Sequence, residues 1–299
     1  MNYLHELQNI YPPGEARAIY RMLMEVRFGL SHTALLLGKD KELSREKQAE
    51  AEKLVLRLLR HEPIQYVLGQ ADFCGRTFRV APGVLIPRPE TEELVKEIKP
   101  HPQPLSEERG VAACLPPRVS PLLGEGLGVR LGLRLLDVGT GSGCIAITLA
   151  LAGYRVTAFD ISEQALRIAR ENAERLGAEV DFVQEDILHP THKCGPFDII
   201  VSNPPYICRS EATQMDENVL RYEPHLALFV PDDDPLRFYR AIVAYAEEHL
   251  VSGSGQMLFE VNRAYGQAVQ ELMRQAGYAD VQLCQDQYGN DRIVKGRKT

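Results

Sequence analysis

The sequence predicts an α/β protein: a doubly wound, mostly parallel sheet of seven strands, preceded by a small N-terminal helical domain. Three observations predict it. From residue 133 onward, short apolar runs alternate with helical stretches, as in a parallel sheet covered on both faces. One strand runs into a turn with glycine at 139, 141 and 143 and then directly into a helix. A later strand, Phe197 to Ser202, stops at Asn203-Pro204-Pro205-Tyr206, where two successive prolines remove ladder donors and end the pairing.

Composition sets the bounds. A chain of 299 residues, 44% hydrophobic and 25% charged, is long enough for two domains with buried cores. No apolar run approaches the roughly 18 residues that span a bilayer. Met1-Asn-Tyr-Leu-His-Glu-Leu7 lacks a basic start followed by an apolar core, so no signal peptide, no membrane contact and a cytoplasmic location are expected. The six cysteines include no Cys-x-x-Cys pair and the eight histidines show no ligand spacing, so no metal is expected. A net charge of −7 opposes a bulk electrostatic grip on nucleic acid.

Residues 1–64 read as a helical bundle. Leu4, Leu7 and Ile10 precede Pro12-Pro13-Gly14, which reads as a breaker. A second helix from about Ala16 to Phe28 carries Ala18, Ile19, Met22, Leu23 and Val26 at helical spacing. Ser44 has the chemistry of an N-cap for a helix from Glu46 to Arg60, with Ala51, Leu54, Val55, Leu58 and Leu59 on one face. Such a bundle either caps the larger domain or docks a partner.

Residues 65–96 read as a hairpin and connector. Gln65 to Gly69, Ala71 to Phe73 and Thr77 to Val80 have strand character, with Cys74-Gly75-Arg76 at the turn. Pro87 and Pro89 then frame an extended entry to a helix beginning at Glu90 or Thr91. The framed residues Arg88, Pro89 and Glu90 form a rigid connector and are candidates to line a substrate site, as Pro-framed loops often carry function. Residues 97–131 are rich in Pro and Gly, show no period, and read as a flexible insertion without catalytic duty.

Residues 132–299 carry the sheet. Strands are expected at 133–138, 155–159, 180–183, 197–202, 255–261, 281–284 and 292–295, with helices at 144–151, 163–176, 235–250 and 265–276. The last two strands lie close enough to form a hairpin at one edge.

The chemistry gathers at the strand ends. Alternating glycines let the backbone approach a ligand closely. The dinucleotide fingerprint needs a further Gly where Cys144 stands, so a smaller nucleoside suits this turn better than a pyrophosphate. Asp160, about 20 residues on, ends the next strand, where a carboxylate accepts both hydroxyls of a ribose. Asp186 ends the third strand, in reach of an adenine amino group; for both acids the plain alternative is a strand-end Asp that caps a helix. Asn203 precedes a proline and is held extended. Its carboxamide, the carbonyls freed from the ladder and the Tyr206 ring suit accepting hydrogen bonds from a planar NH2 group. In sheets of this kind ligands collect beyond the carboxyl ends of the strands, which is where all four groups fall.

Six stretches together resemble one family. They are Glu62-Pro-Ile-Gln-Tyr-Val-Leu-Gly69, the Phe78 to Glu92 run with Pro87-Arg-Pro-Glu-Thr-Glu92, Asp137-Val-Gly-Thr-Gly-Ser-Gly143, Val201-Ser-Asn-Pro-Pro-Tyr-Ile207, Tyr222-Glu-Pro224 and Asp291-Arg-Ile-Val294. They resemble the class I S-adenosylmethionine-dependent methyltransferases, and more narrowly the release-factor glutamine methyltransferases, over nearly the whole chain. The glycine motif is shared with many methyltransferases; the Pro-Arg-Pro-Glu-Thr-Glu run is far more specific.

The resemblance implies a Rossmann-like methyltransferase domain that uses S-adenosylmethionine and yields S-adenosylhomocysteine. Gly139, Thr140, Gly141, Ser142 and Gly143 would hold the methionine moiety, Asp160 the ribose, and Asp186 with Ile187 the adenine, with Asn203 also facing the cofactor. Asn203, Pro204, Pro205 and Tyr206 would hold the glutamine of the Gly-Gly-Gln motif of peptide chain release factors. The N-terminal helices would help dock the factor. For catalysis, Asn203 Oδ1 and the Pro204 carbonyl would each accept one amide hydrogen while Tyr206 packs on the flat amide, with no metal or histidine base.

Two features depart from the pattern. Ile187 is aliphatic where the family often has an aromatic, and the 97–131 insertion is long. Two other readings compete. An enzyme acting on an exocyclic amine of a nucleic-acid base should carry a basic target-binding domain, whereas residues 1–80 hold 12 Lys and Arg against 10 Asp and Glu. Against a non-catalytic scaffold stands the complete set of glycines, Asp160 and Asn203. A monomer is the expected state.

Overall fold

The computed structural model describes residues 3–98, 132–286 and 288–299; of the expected flexible insertion, residues 99–131 lie outside the described residues. Turn chemistry shapes the N-terminal helices. Helix α1 (Tyr3–Gln8) leads into α2 (Pro13–Phe28). Pro12-Pro13-Gly14, expected as a breaker, instead starts α2, because a proline in the first turn lacks only an N–H that has no intrahelical partner. The short α3 (His32–Leu36), with Ser31 as N-cap, has too few residues to show a period. A 3-10 turn at Lys39–Glu42 follows. Helix α4 (Arg45–Leu58) has the expected cap, the Ser44 hydroxyl accepting from the Lys47 N–H at 3.4 Å.

The strand expected over Gln65 to Gly69 is a correction. Ile64–Leu68 forms a helix, α5, opened by Pro63 and closed by Gly69 at φ 74°. A five-residue apolar run has no period of its own, and the Pro and Gly at its ends decide for helix. Leu7, Leu23, Met24, Ala51, Val55 and Leu58, all fully buried, form the core of this helical unit.

Strands β1 (Gln70–Phe73) and β2 (Arg76–Arg79) form the hairpin, turning at Cys74 and Gly75, both at positive φ. The hairpin buries Phe73 and Phe78 against Leu94 of α6 (Pro89–Glu97). Then come β3 (Arg134–Val138), α7 (Cys144–Leu151), β4 (Arg155–Asp160), α8 (Glu163–Leu176), β5 (Val180–Gln184) and β6 (Ile199–Ser202). Between β6 and the next sheet strand lies a segment not foreseen: β7 (Ile207–Cys208), α9 (Glu217–Tyr222), α10 (His225–Leu228) and β8 (Phe229–Val230), with β7 and β8 paired in parallel. Helix α11 (Arg237–His249), β9 (Gln256–Glu260), α12 (Gly266–Gln275), β10 (Tyr278–Gln285) and β11 (Asp291–Lys298) complete the chain.

The seven-stranded sheet has the order β10-β11-β9-β6-β3-β4-β5. Six strands run the same way, five of them paired in parallel, and β11 lies antiparallel between β9 and β10, giving the expected hairpin edge. The chain winds outward from β3 in both directions, so the switch point lies between β3 and β6. Register then dictates the site. Val138 pairs with both Ser202 and Phe159, and Asp160 with Gln184. The glycine turn, Asn203, Asp160 and Asp186 therefore leave the sheet side by side.

One buried cation secures the far end of this frame. The Lys298 ammonium donates to the carbonyls of Ala246 (3.0 Å), Glu247 (2.6 Å) and Leu250 (3.2 Å), the last turn of α11. It adds a donor to carbonyls at the helix end, the Ala246 one already accepting from the Leu250 N–H, and opposes the helix dipole. Lys298→Met is expected to cost about 2–3 kcal/mol in urea unfolding. A loss near zero would show that water caps the helix equally well.

Candidate functional site

At the carboxyl edge of the sheet a cavity of about 340 Å³ opens. Its walls are the glycine turn, the ends of β4, β5 and β6, residues 83–85 of the connector, and Pro224, Leu226 and Ala227 from the segment after β7. Asp160, Glu185 and Asp186 line it with no Lys or Arg among the described lining residues, a balance that favours a cationic ligand.

The glycine turn is built from below. The Gly139 and Thr140 N–H groups donate to the Phe159 carbonyl at 2.8 and 2.9 Å, locking the turn to β4. At Gly143, φ is +81°, and an added Cβ would lie 2.8 Å from Ile147 Cδ1 and 3.1 Å from Ala169 Cβ. Only glycine lets α7 and α8 close here. Asn172 of α8, fully buried, accepts from the Arg79 N–H (2.7 Å) and donates to the carbonyls of Arg79 (3.0 Å) and Ser142 (2.9 Å). One side chain thus pins the glycine turn to the hairpin.

Asp137 lies fully buried beneath the turn and accepts from the Thr140 hydroxyl at 2.7 Å. Burial pushes its carboxyl up to about 7 from the ordinary 3.8, against the pull of the Thr140 hydrogen bond. Between those values the folded chain holds a proton that the unfolded chain has lost. This contribution is complete below pH 3.8 and disappears as pH rises through about 7. From pH 5 to pH 7 the wild type is expected to lose about 2 kcal/mol more unfolding free energy than Asp137→Asn. Parallel slopes in urea titrations at the two pH values would contradict it.

Asp160 is both braced and available. Its Oδ2 accepts from the Gly141 N–H at 2.8 Å and its Oδ1 from the Ser162 N–H at 2.9 Å. Burial raises its carboxyl above the ordinary value, and these two N–H groups pull it back. Each oxygen keeps acceptor capacity for a ligand hydroxyl. Asp186 accepts from the Leu188 N–H at 3.0 Å, and the buried Ile187 beside it gives the cavity an aliphatic wall. Neither acid caps a helix: Ser162 caps α8, and Asp186 closes a turn with no helix after it.

Asn203, Pro204 and Pro205 also line the cavity. The Asn203 NH2 donates to Thr91 Oγ1 at 3.1 Å, and the Thr91 hydroxyl donates to Glu260 Oε2 at 2.7 Å. The Tyr206 hydroxyl donates to the other oxygen of Glu260 at 3.0 Å. Tyr206 is not on the cavity wall; nor are Thr140, Ser142, Gly143, Arg88, Pro89 or Glu90. Arg88 instead donates to Glu223 at 2.6 Å, and Glu223, buried, also accepts from the Ile86 N–H at 3.2 Å. That pair ties the connector to the segment that walls the cavity. The same segment reaches the N-terminal helices, the Tyr222 hydroxyl donating to the Arg60 carbonyl at 2.7 Å.

Thr91 and Asp137 stood inside quoted motifs with no role assigned to them, and Glu260 and Asn172 went unmarked in the sequence. A signal for Glu260 existed: it is an acid at the end of a strand adjoining β6, and Ser202 pairs with Phe259. Thr91 follows the Pro-framed stretch already singled out.

Comparison with known proteins gives concordant matches in the N-terminal and central parts of the chain. The methyltransferase small domain family matches residues 118–221, and the PrmC N-terminal domain family matches residues 3–69. A release factor glutamine methyltransferase of Bacteroides thetaiotaomicron is 46% identical over 98% of this chain and 96% of its own. Enzymes of the same description from Flavobacterium psychrophilum and Streptococcus pneumoniae are 38% and 39% identical, over 98% and 92% of this chain and 95% and 88% of their own.

Proposed function

This chain belongs to the release factor glutamine methyltransferase family, and from that premise we propose how its residues perform the transfer. The substrate is the glutamine of the Gly-Gly-Gln motif of peptide chain release factors, methylated on its side-chain amide nitrogen by S-adenosylmethionine, with S-adenosylhomocysteine as product. What carries this reading is Asn203, a proline-locked carboxamide on the wall of an acid-lined cavity beside the glycine turn.

The cavity fits the cofactor by the chemistry of its donors and acceptors. Asp160 would take the ribose hydroxyls, Asp186 and Ile187 the adenine, and Gly139 to Gly143 the methionine end, with Asn203 at its border. When bound, S-adenosylmethionine supplies a methyl group on a sulfonium, already activated for transfer.

An amide nitrogen is a poor nucleophile, because its lone pair is shared with the carbonyl. The protein's task is orientation. Asn203 Oδ1 accepts one amide hydrogen and the Pro204 carbonyl the other, which draws electron density onto nitrogen and aims it at the methyl group. Orientation of this kind contributes up to about 7–11 kcal/mol. As the nitrogen gains the methyl it loses a proton to water, so neither a metal nor a histidine base is needed. Pro205 and Tyr206 frame the glutamine, and Arg88, Pro89 and Glu90 flank its approach. The N-terminal helices dock the factor, and the enzyme works as a monomer.

Incubation with methyl-labelled cofactor and either a release factor or total RNA tests this. Label is expected in the factor, and lost when its Gly-Gly-Gln glutamine is replaced. Label in RNA alone would favour transfer to a base amine and overturn the proposal.

A further inference from the structure

The Asn203 carboxamide has two ends, and only its oxygen serves a substrate that arrives as NH2. We propose that Glu260, acting through Thr91, fixes which end of Asn203 faces the substrate and so makes the site select an amide over a carboxylate. This rests on the glutamine reading above.

The direction of the relay follows from proton counting. Glu260 is 1% exposed and receives two hydroxyls, from Thr91 and from Tyr206. A carboxylate only accepts. The single Thr91 proton is therefore committed to Glu260, and Thr91 Oγ1 is left with lone pairs alone. The group of Asn203 that lies 3.1 Å away must then be its NH2. Among the described residues nothing donates to Asn203 Oδ1, so the oxygen is the outward end. Reversed, the same amide would present NH2 to the substrate, a match for a carboxylate oxygen. An unsupported amide has little preference between its two ends, so the specificity comes from the acid two links behind it.

Burial raises the Glu260 carboxyl above its ordinary range, and the Glu90 carboxylate on α6 adds to this. The Thr91 and Tyr206 hydroxyls and Arg292 on β11 pull it back toward the ionised, accepting form. Arg292 is itself held by the buried Asp286 at 3.4 Å, and the Tyr239 hydroxyl of α11 binds the Glu260 backbone carbonyl at 3.1 Å. Protonating Glu260 would give it a hydrogen to donate and free the relay to reverse. An acid limb in kcat that disappears when Thr91 cannot relay is the signature.

The test cuts the middle link. Thr91→Val keeps the shape and removes the hydroxyl; Thr91→Ala is a second cut that relieves any misfit of the valine. Both are expected to lower kcat on the release factor roughly tenfold to a hundredfold, with cofactor affinity retained and the acid limb gone. A factor carrying Glu in place of the motif glutamine should inhibit them roughly tenfold more strongly than it inhibits the wild type. Thr91→Ser restores the hydroxyl and should recover most of the turnover. Wild-type kcat and discrimination in both cuts would overturn the relay, as would a serine variant as impaired as the valine one. A wild-type enzyme that leaves the factor unmethylated would instead overturn the glutamine reading beneath it.

Discussion

Asn203→Ala is expected to lower kcat for methyl transfer to the release factor by roughly two to three orders of magnitude, the range found when one preorganised polar group is removed from a reacting centre. The backbone frame survives the change. Pro204 and Pro205 still end β6, and the Pro204 carbonyl still offers one acceptor. What disappears is the acceptor for the second amide hydrogen, leaving the substrate nitrogen free to rotate out of line. The Thr91 oxygen also loses its donor, although Thr91 keeps its bond to Glu260. Cofactor affinity, which the proposal assigns mainly to the glycine turn and Asp160, should stay near that of the wild type. Calorimetry with the cofactor and single-turnover kinetics separate the two effects. Turnover equal to the wild type would remove Asn203 from the mechanism.

Asp160→Ala should show the opposite division. Two charged hydrogen bonds to a ribose, each about 1.5–3 kcal/mol, predict a loss of cofactor affinity of about a hundredfold or more. Part of that loss is indirect. The carboxylate also holds the Gly141 and Ser162 N–H groups, so its removal loosens the glycine turn itself. Asp160→Asn keeps an oxygen for one of these partners and should fall between the two. At saturating cofactor, kcat should change far less than affinity. A variant with unchanged affinity and reduced kcat would move Asp160 from the binding side of the site to the chemistry.

The position of these two residues on the cavity wall was legible in the sequence because a parallel sheet leaves little freedom. Once strands 133–138, 155–159 and 197–202 are recognised, their carboxyl ends must share an edge, and the residues that follow must meet there. What stayed hidden has a different physical origin. Ile64–Leu68 folded as a helix because a five-residue run contains no period, and its fate rests on flanking Pro63 and Gly69. Strands β7 and β8 are two residues each and exist only through each other. Thr91 and Glu260 are 169 residues apart, and nothing local marks a hydroxyl and an acid that meet in a buried pair. Asn172 reads as one polar residue in an amphipathic helix, yet it is fully buried because the hairpin and the glycine turn both supply backbone groups to it.

The most direct measurement is a crystal structure of the protein with S-adenosylhomocysteine and a release factor. The glutamine amide nitrogen should lie about 2.7–3.2 Å from both Asn203 Oδ1 and the Pro204 carbonyl oxygen, and face the cofactor sulfur. A glutamine held elsewhere, or an Asn203 that turns its NH2 toward the substrate, would contradict the account.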